Sequence, residues 1–315
     1  MTELKQYNIT LTHGNRKFST LSNFKESDVL GNRTNRPWSR VIFLIHGFPD
    51  NNLSYNDVWP LLLKAFGNER VLLLAPLLRG YEPSSQGKDL DYKPENMASD
   101  INSFITSIAP GDKPVHLLGH DWGAIISFKT AQLYPDAVTS IVTLAIPYLA
   151  NLRAWHLAWY APEQIYYSSY FLTMQAAFVY GPRFAQTGAG SYLDSLWRYW
   201  SPTWNYPRNA IESVRETLNN KGVIDAATAY YRCIMNPFNL RRNRWLVDFD
   251  KVPTMIVGGE TDGCMSVRVL RLEKELLSKH KNVAVKEVPV AGHFLQREDP
   301  ETIAKLAAEW FLLHS

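Results

Sequence analysis

Residues 119–123 read Gly-His-Asp-Trp-Gly. That is the spacing of the nucleophile elbow G-x-S-x-G, a strained strand-to-helix turn that lifts one side chain above a parallel sheet. The lifted group here is Asp121, and no G-x-S-x-G occurs elsewhere in the chain. A serine needs a base to become nucleophilic, whereas a carboxylate with a reference pKa of about 3.9 is ionised at neutral pH. Its attack on an ester would give a mixed anhydride. Attack on a saturated carbon bearing a leaving group gives an ordinary ester. Asp121 therefore points to alkyl transfer at an sp3 carbon, with epoxides and alkyl halides as substrates.

An enzyme that makes an ester with its own side chain must also hydrolyse it. That step calls for a histidine to deprotonate water, an acid to orient the histidine, and donors for the developing oxyanion. The elbow architecture places acid and then histidine after the nucleophile. Asp262, in Gly258-Gly259-Glu260-Thr261-Asp262, is assigned as the orienting acid with Glu260 as its rival, and His293, in Ala291-Gly292-His293, as the base. Both follow apolar strand-like runs, where sites of open α/β sheets gather. His120 should point away from the nucleophile and is read as structural. His46-Gly47-Phe48-Pro49 follows another such run, so the backbone N–H groups of Phe48 and Trp122 are the expected oxyanion donors.

The elements that must position these groups follow from periodicity. Tyr7 to Thr12 and Lys17 to Leu21 flank the turn signal His13-Gly14-Asn15 and read as a hairpin. Short apolar runs at Val41–Ile45, Val71–Ala75, Val115–Leu118, Ile141–Ala145, Thr254–Val257 and Val283–Val288 read as buried strands. Helical stretches at Met97–Ile108, Ala124–Leu133 and Val267–Leu277 lie between them. A last helix starts near Asp299, a good N-cap before Pro300. This alternation predicts a doubly wound, mostly parallel α/β sheet with helices on both faces. It breaks after Pro147. Residues 148–247 hold 11 of the 16 tyrosines and 6 of the 10 tryptophans, with no short apolar strand. The division expected is a core in two parts, 1–147 and 248–315, interrupted by an inserted helical lid, 148–247, whose aromatics roof an apolar pocket over Asp121.

Bulk properties fit a soluble enzyme and say little more. The chain has 33 basic and 30 acidic residues, a net charge of +3 and no basic run, which gives no reason to expect nucleic acid or an anionic membrane. Cys233 and Cys264 are the only cysteines, a usage that suits a reducing cytosol. The start, Met-Thr-Glu-Leu-Lys-Gln, has no apolar signal region. No apolar run approaches the about 18 residues of a membrane span. A cytoplasmic enzyme with no membrane span is expected, and a homodimer is left open.

With these pieces in place, the chain resembles the α/β-hydrolase superfamily over essentially its whole length. Within it, the chain resembles the epoxide hydrolases that use an aspartate nucleophile. The match rests on His46-Gly47-Phe48-Pro49, Gly119-His120-Asp121-Trp122-Gly123, Asp262 and Gly292-His293. The resemblance implies an α/β-hydrolase fold with a cap, an epoxide and water as substrates, a vicinal diol as product, and no metal or organic cofactor. It also implies two cap tyrosines that protonate the epoxide oxygen. Tyr167 in Tyr167-Ser168-Ser169-Tyr170-Phe171 and Tyr231 in Tyr230-Tyr231-Arg232 are the residues it suggests, with Tyr166, Tyr170 and Tyr230 as alternatives. A haloalkane dehalogenase would share Asp121 and Trp122 but needs N–H donors for the halide, and Phe48 stands where many of those enzymes carry an asparagine. A non-catalytic receptor on the same scaffold would not need nucleophile, acid and base together. Two departures from the pattern, Leu77 for a common aspartate and Glu82 for a usual glycine, bear on the loop beside the site.

Overall fold

The computed structural model describes residues 5–31, 36–109, 113–188, 190–236 and 245–315. Eight strands form one sheet: β1 Tyr7–His13, β2 Arg16–Ser22, β3 Arg40–Ile45, β4 Val71–Pro76, β5 Val115–His120, β6 Ser140–Leu144, β7 Thr254–Gly259 and β8 Val283–Val288. Their order is β1-β2-β4-β3-β5-β6-β7-β8. The six strands from β3 to β8 are mutually parallel, and the β1–β2 hairpin joins β4 antiparallel. Sequence pattern explains the arrangement. In β3 and β4 every residue is buried, as expected for parallel strands covered on both faces. The edge strands β1 and β8 retain exposed positions.

Side chains alternate between two cores. Val41, Phe43 and Ile45 point into one, Ile42 and Leu44 into the other. Helices α1 Glu26–Leu30, α2 Val58–Ala65, α3 Pro94–Ile108 and α4 Trp122–Leu133 accompany the first five strands. Met97, Ile101 and Phe104 of α3 share the first core with β3, while Val58, Trp59 and Leu62 of α2 fill the second. Between β6 and β7 the described residues form helices only: α5 Ala154–Tyr160, α6 Glu163–Tyr167, α7 Tyr170–Thr173, α8 Ala177–Phe184, α9 Tyr192–Trp200, α10 Arg208–Asn219 and α11 Val223–Met235. The chain closes with α12 Val267–Leu277, α13 Leu295–Glu298 and α14 Pro300–Leu313, and Asp299 caps α14 by accepting from the Thr302 N–H. Among the described residues no helix is long and apolar enough to cross a membrane.

The helical insertion sits on the loops at the C-terminal ends of the parallel strands. The Trp197 indole donates to the Pro49 carbonyl at 3.1 Å, and the Tyr230 hydroxyl donates to the Arg79 carbonyl. Tyr231 packs on Phe48 and Trp122 with ring centroids 5.6 and 5.0 Å apart. Where the chain leaves β6 for the insertion, the N–H groups of Tyr148 and Leu149 both donate to the buried carboxylate of Glu273 on α12.

Candidate active site

Asp121 occupies the turn between β5 and α4 with φ 51° and ψ −115°, a conformation a non-glycine residue adopts only when its surroundings enforce it. The surroundings here do so. Its N–H donates to the Leu144 carbonyl at 3.1 Å and its carbonyl accepts from the Ala124 N–H at 2.9 Å. The flanking glycines let the strand and helix close on each other: a Cβ on Gly119 would lie 2.2 Å from the Gly123 carbonyl oxygen. The carboxylate is buried and accepts from the Phe48 N–H at 2.7 Å. Trp122 opens α4, so its N–H is one of the four that an α-helix leaves without an internal partner. The helix N-terminus further favours negative charge at Asp121.

His293 follows β8 and is fully buried. Its Nδ1 lies 3.0 Å from Asp262 Oδ2, and its Nε2 lies 3.7 Å from Asp121 Oδ2 without a hydrogen-bond partner. The other oxygen of Asp262 accepts from the Cys264 and Met265 N–H groups at 2.6 and 2.9 Å, which fixes the carboxylate plane. Glu260 is partly exposed and pairs with Arg271 at 3.8 Å, so geometry separates the two acids that sequence left in competition. Burial opposes a charged imidazole, yet the Asp262 charge, its hydrogen bond and the nearby Asp121 charge push the His293 pKa up to about 10. His120 turns away from the elbow, with its Nε2 2.9 Å from the His293 carbonyl oxygen, and burial holds its pKa down to about 4.

The tyrosines divide differently from the expectation. Tyr231 is buried, and its hydroxyl has no partner among the described residues. Burial, followed by the Asp121 charge, raises its pKa well above the usual phenol range. Tyr167 is not brought to the site. Its ring neighbours are Tyr166 and Tyr199, and it borders an open surface groove of about 440 Å³ whose lining includes Glu163, Arg198 and Asp262 but not Asp121, Phe48 or His293. Tyr170, three residues on, packs on Tyr231 and on Trp200 with centroids 5.6 and 5.3 Å apart, and its hydroxyl is 3.5 Å from Cys264 Sγ. Of the remaining alternatives, Tyr166 is exposed and Tyr230 is bound to the Arg79 carbonyl.

The aromatics of the insertion also split. Trp197 and Trp200 are buried beside the site, whereas Trp155, Trp159 and Phe178 face solvent. Glu82, one of the two departures, has a local role: its carboxylate accepts from the Ser19 N–H and hydroxyl at 2.6 and 2.9 Å, tying the loop after β4 to β2. Leu77 is half-buried against the larger core. Among the described residues, one group of side chains offers metal-ligand atoms within 4.8 Å of one another, namely Asp262, Cys264 and His293. A cation there would compete for the Asp262–His293 hydrogen bond.

Residues 40–300 match the alpha/beta hydrolase fold family. The chain is 25% identical over 275 residues to human epoxide hydrolase 4, spanning 84% of this chain and 70% of that protein. It is 24% identical over 283 residues to epoxide hydrolase 3 of Xenopus tropicalis, spanning 87% and 73%. Among solved structures it superposes on a Bacillus megaterium epoxide hydrolase in complex with an inhibitor with a TM-score of 0.70, at 19% identity, covering 96% of this chain and all of the other. Epoxide hydrolase A of Mycobacterium thermoresistibile gives 0.68 at 18% identity, covering 97% and 98%. The chain therefore belongs to the α/β hydrolase fold family, and within it the chain is an epoxide hydrolase-like enzyme.

Proposed function

We propose that the protein hydrolyses a hydrophobic epoxide to a vicinal diol through a covalent ester on Asp121, beneath a cap formed by residues 148–247. The observation that carries this reading is the surroundings of the Asp121 carboxylate. It accepts one backbone N–H, lies 3.7 Å from an unpartnered His293 Nε2, and adds to burial in raising the pKa of an unpartnered Tyr231 hydroxyl. The names of the relatives point to the same substrate class.

In the first step a carboxylate oxygen of Asp121 attacks an oxirane carbon from behind the C–O bond. Tyr231 and Tyr170 hydrogen-bond the departing oxygen, and one of them transfers its proton to it. An alkoxide is too basic to leave unassisted, so this acid is required. The enzyme then holds an alkyl ester, a tyrosinate and an imidazolium. Esterification removes one of the two carboxylate charges that hold the proton on His293. The proton passes to the tyrosinate, and the neutral imidazole, oriented by Asp262, takes a proton from water. The resulting hydroxide attacks the ester carbonyl, and the Phe48 and Trp122 N–H groups stabilise the oxyanion. Collapse expels the second diol oxygen, which takes up the proton left on the new carboxylic acid.

The test is conversion of a styrene-type epoxide to its diol, with intact mass of the His293→Gln variant after exposure to substrate. A mass increment of one substrate on Asp121 is expected. A folded variant of an active parent that carries no adduct contradicts the covalent route, and halide release from a bromoalkane without diol formation moves the enzyme to the dehalogenases.

A further inference from the structure

The end of α9 enters the triad from above. The Trp200 carbonyl accepts from two N–H groups, those of Gly263 and His293, both at 3.1 Å. One carbonyl of the insertion thus bridges the loop that carries Asp262 and the loop that carries His293. The Trp200 ring lies against the His293 imidazole with centroids 4.7 Å apart and against Tyr170 at 5.3 Å. The approach depends on missing side chains. A Cβ on Gly263 would lie 2.0 Å from the Tyr199 carbonyl oxygen, and one on Gly292 would lie 2.6 Å from Ser201 Cα.

Ser201, the C-cap of α9, completes the contact. Its hydroxyl is fully buried and uses its whole capacity of one donor and two acceptor sites. It accepts from the His293 N–H at 2.9 Å and the Phe294 N–H at 3.2 Å, and it donates to Glu298 Oε1 at 2.6 Å. Glu298 in turn accepts from the Phe294 N–H at 3.0 Å and the Gly292 N–H at 2.8 Å. Every backbone N–H from Gly292 to Phe294 therefore ends on Ser201, Glu298 or Trp200. No Lys, Arg or His pairs with Glu298 among the described residues, so its place there is as an acceptor for this loop.

We infer that Ser201 and Glu298 are positioning residues for His293, and that through them the seating of the helical insertion sets the alignment of the base. The inference rests on the reading of His293 as the base for ester hydrolysis. Its first consequence is a split between the two chemical steps. Ester formation needs Asp121 and the tyrosines. Ester hydrolysis needs a correctly aimed imidazole as well. Losing the loop clamp should slow the second step and spare the first.

The experiment uses the full chain with Glu298→Gln, which puts an amide NH2 against a backbone N–H, and Ser201→Ala, each compared with His293→Gln. Rapid quenching with intact-mass detection measures ester formation and decay. The far-downfield proton spectrum follows the His293 imidazole N–H held by Asp262, assigned by its loss in His293→Gln. Both variants are expected to form the ester at the parental rate and hydrolyse it roughly tenfold more slowly or worse, the scale of an abandoned buried acceptor. The imidazole proton should broaden or vanish. The double variant should be little worse than either single, because the two residues act as one unit. Parental ester decay with an unchanged imidazole resonance overturns the inference, as does an equal slowing of both steps. If His293→Gln itself traps no ester, the covalent reading fails, and the imidazole resonance alone decides the positioning role.

Discussion

Arg297 grips Asp50, Nη2 to Oδ1 at 2.7 Å and Nε to Oδ2 at 3.1 Å, with both side chains buried. Asp50 ends the loop that presents the Phe48 N–H, and Arg297 lies in α13, four residues after His293. The pair joins the Phe48 loop to the segment after His293 through the core of the protein rather than through the insertion. Removing the guanidinium leaves a carboxylate buried without its cation. Arg297→Ala is expected to lower unfolding stability by about 3–5 kcal/mol, measured by urea denaturation. Turnover in the protein that remains folded should fall as well.

The tyrosines give the clearest functional contrast. Tyr231→Phe and Tyr170→Phe should each slow ester formation, and the double variant should lose roughly 10²–10⁴-fold, the usual contribution of a general acid. Tyr167→Phe should leave the rate unchanged, because its ring faces Tyr199 and the surface groove. Pre-steady-state mass detection of the ester distinguishes the three. Loss of ester formation in Tyr167→Phe alone would return the role to that residue.

The pH dependence of stability should carry the mark of His293. Its folded pKa stands at about 10 against an ordinary 6.5. The imidazolium therefore contributes stability that is complete below 6.5 and is lost as pH climbs through about 10. Urea midpoints measured across this range should show the parent's advantage over His293→Gln shrinking as alkalinity increases. A constant difference would mean that His293 is neutral in the resting enzyme.

Glu273 presents the same sign for a different reason. Burial without a cation outweighs the two N–H donors of Tyr148 and Leu149 and pushes its pKa up to about 8, from an ordinary 4.5. The folded state thus favours the protonated acid, and stability declines as pH rises from 4.5 through about 8. Glu273→Gln keeps an acceptor for one of the two N–H groups and removes the titration. The variant should show a flatter stability profile over that interval, read by thermal unfolding at a series of pH values.

How much of this was legible beforehand depended on the range of the interaction. Asp121, Asp262 and His293 stand just past apolar runs whose strand character is local, so their convergence follows from the parallel sheet alone. Sequence assigns Asp262 over Glu260 within one five-residue loop, and the structure places Asp262 Oδ2 3.0 Å from His293 Nδ1. Tyr167 was preferred in a run where tyrosines stand at 166, 167 and 170, and there the chain breaks at Ser168 between two short helices. No helical period extends across that break, so sequence spacing does not say which ring turns inward. The individual bounds of helices α5 to α8, inside the expected helical insertion, could not be read for a related reason. These helices expose Trp155, Trp159 and Phe178, and an apolar residue facing solvent blurs the amphipathic stripe. The clamp of Ser201 and Glu298 spans 97 residues. Neither residue type advertises such a role.

The helical insertion leaves β6 and returns at β7, and these two strands are hydrogen-bonded neighbours. A replacement segment of any length can be spliced between them without altering the order or register of the sheet, so the architecture permits evolutionary exchange of the substrate-facing roof. The exchange is not free of conditions, however. On the covalent reading proposed above, a grafted roof lacking a carbonyl and a hydroxyl where Trp200 and Ser201 now stand would release its ester more slowly, so a new roof has to bring these two acceptors with it to keep turnover.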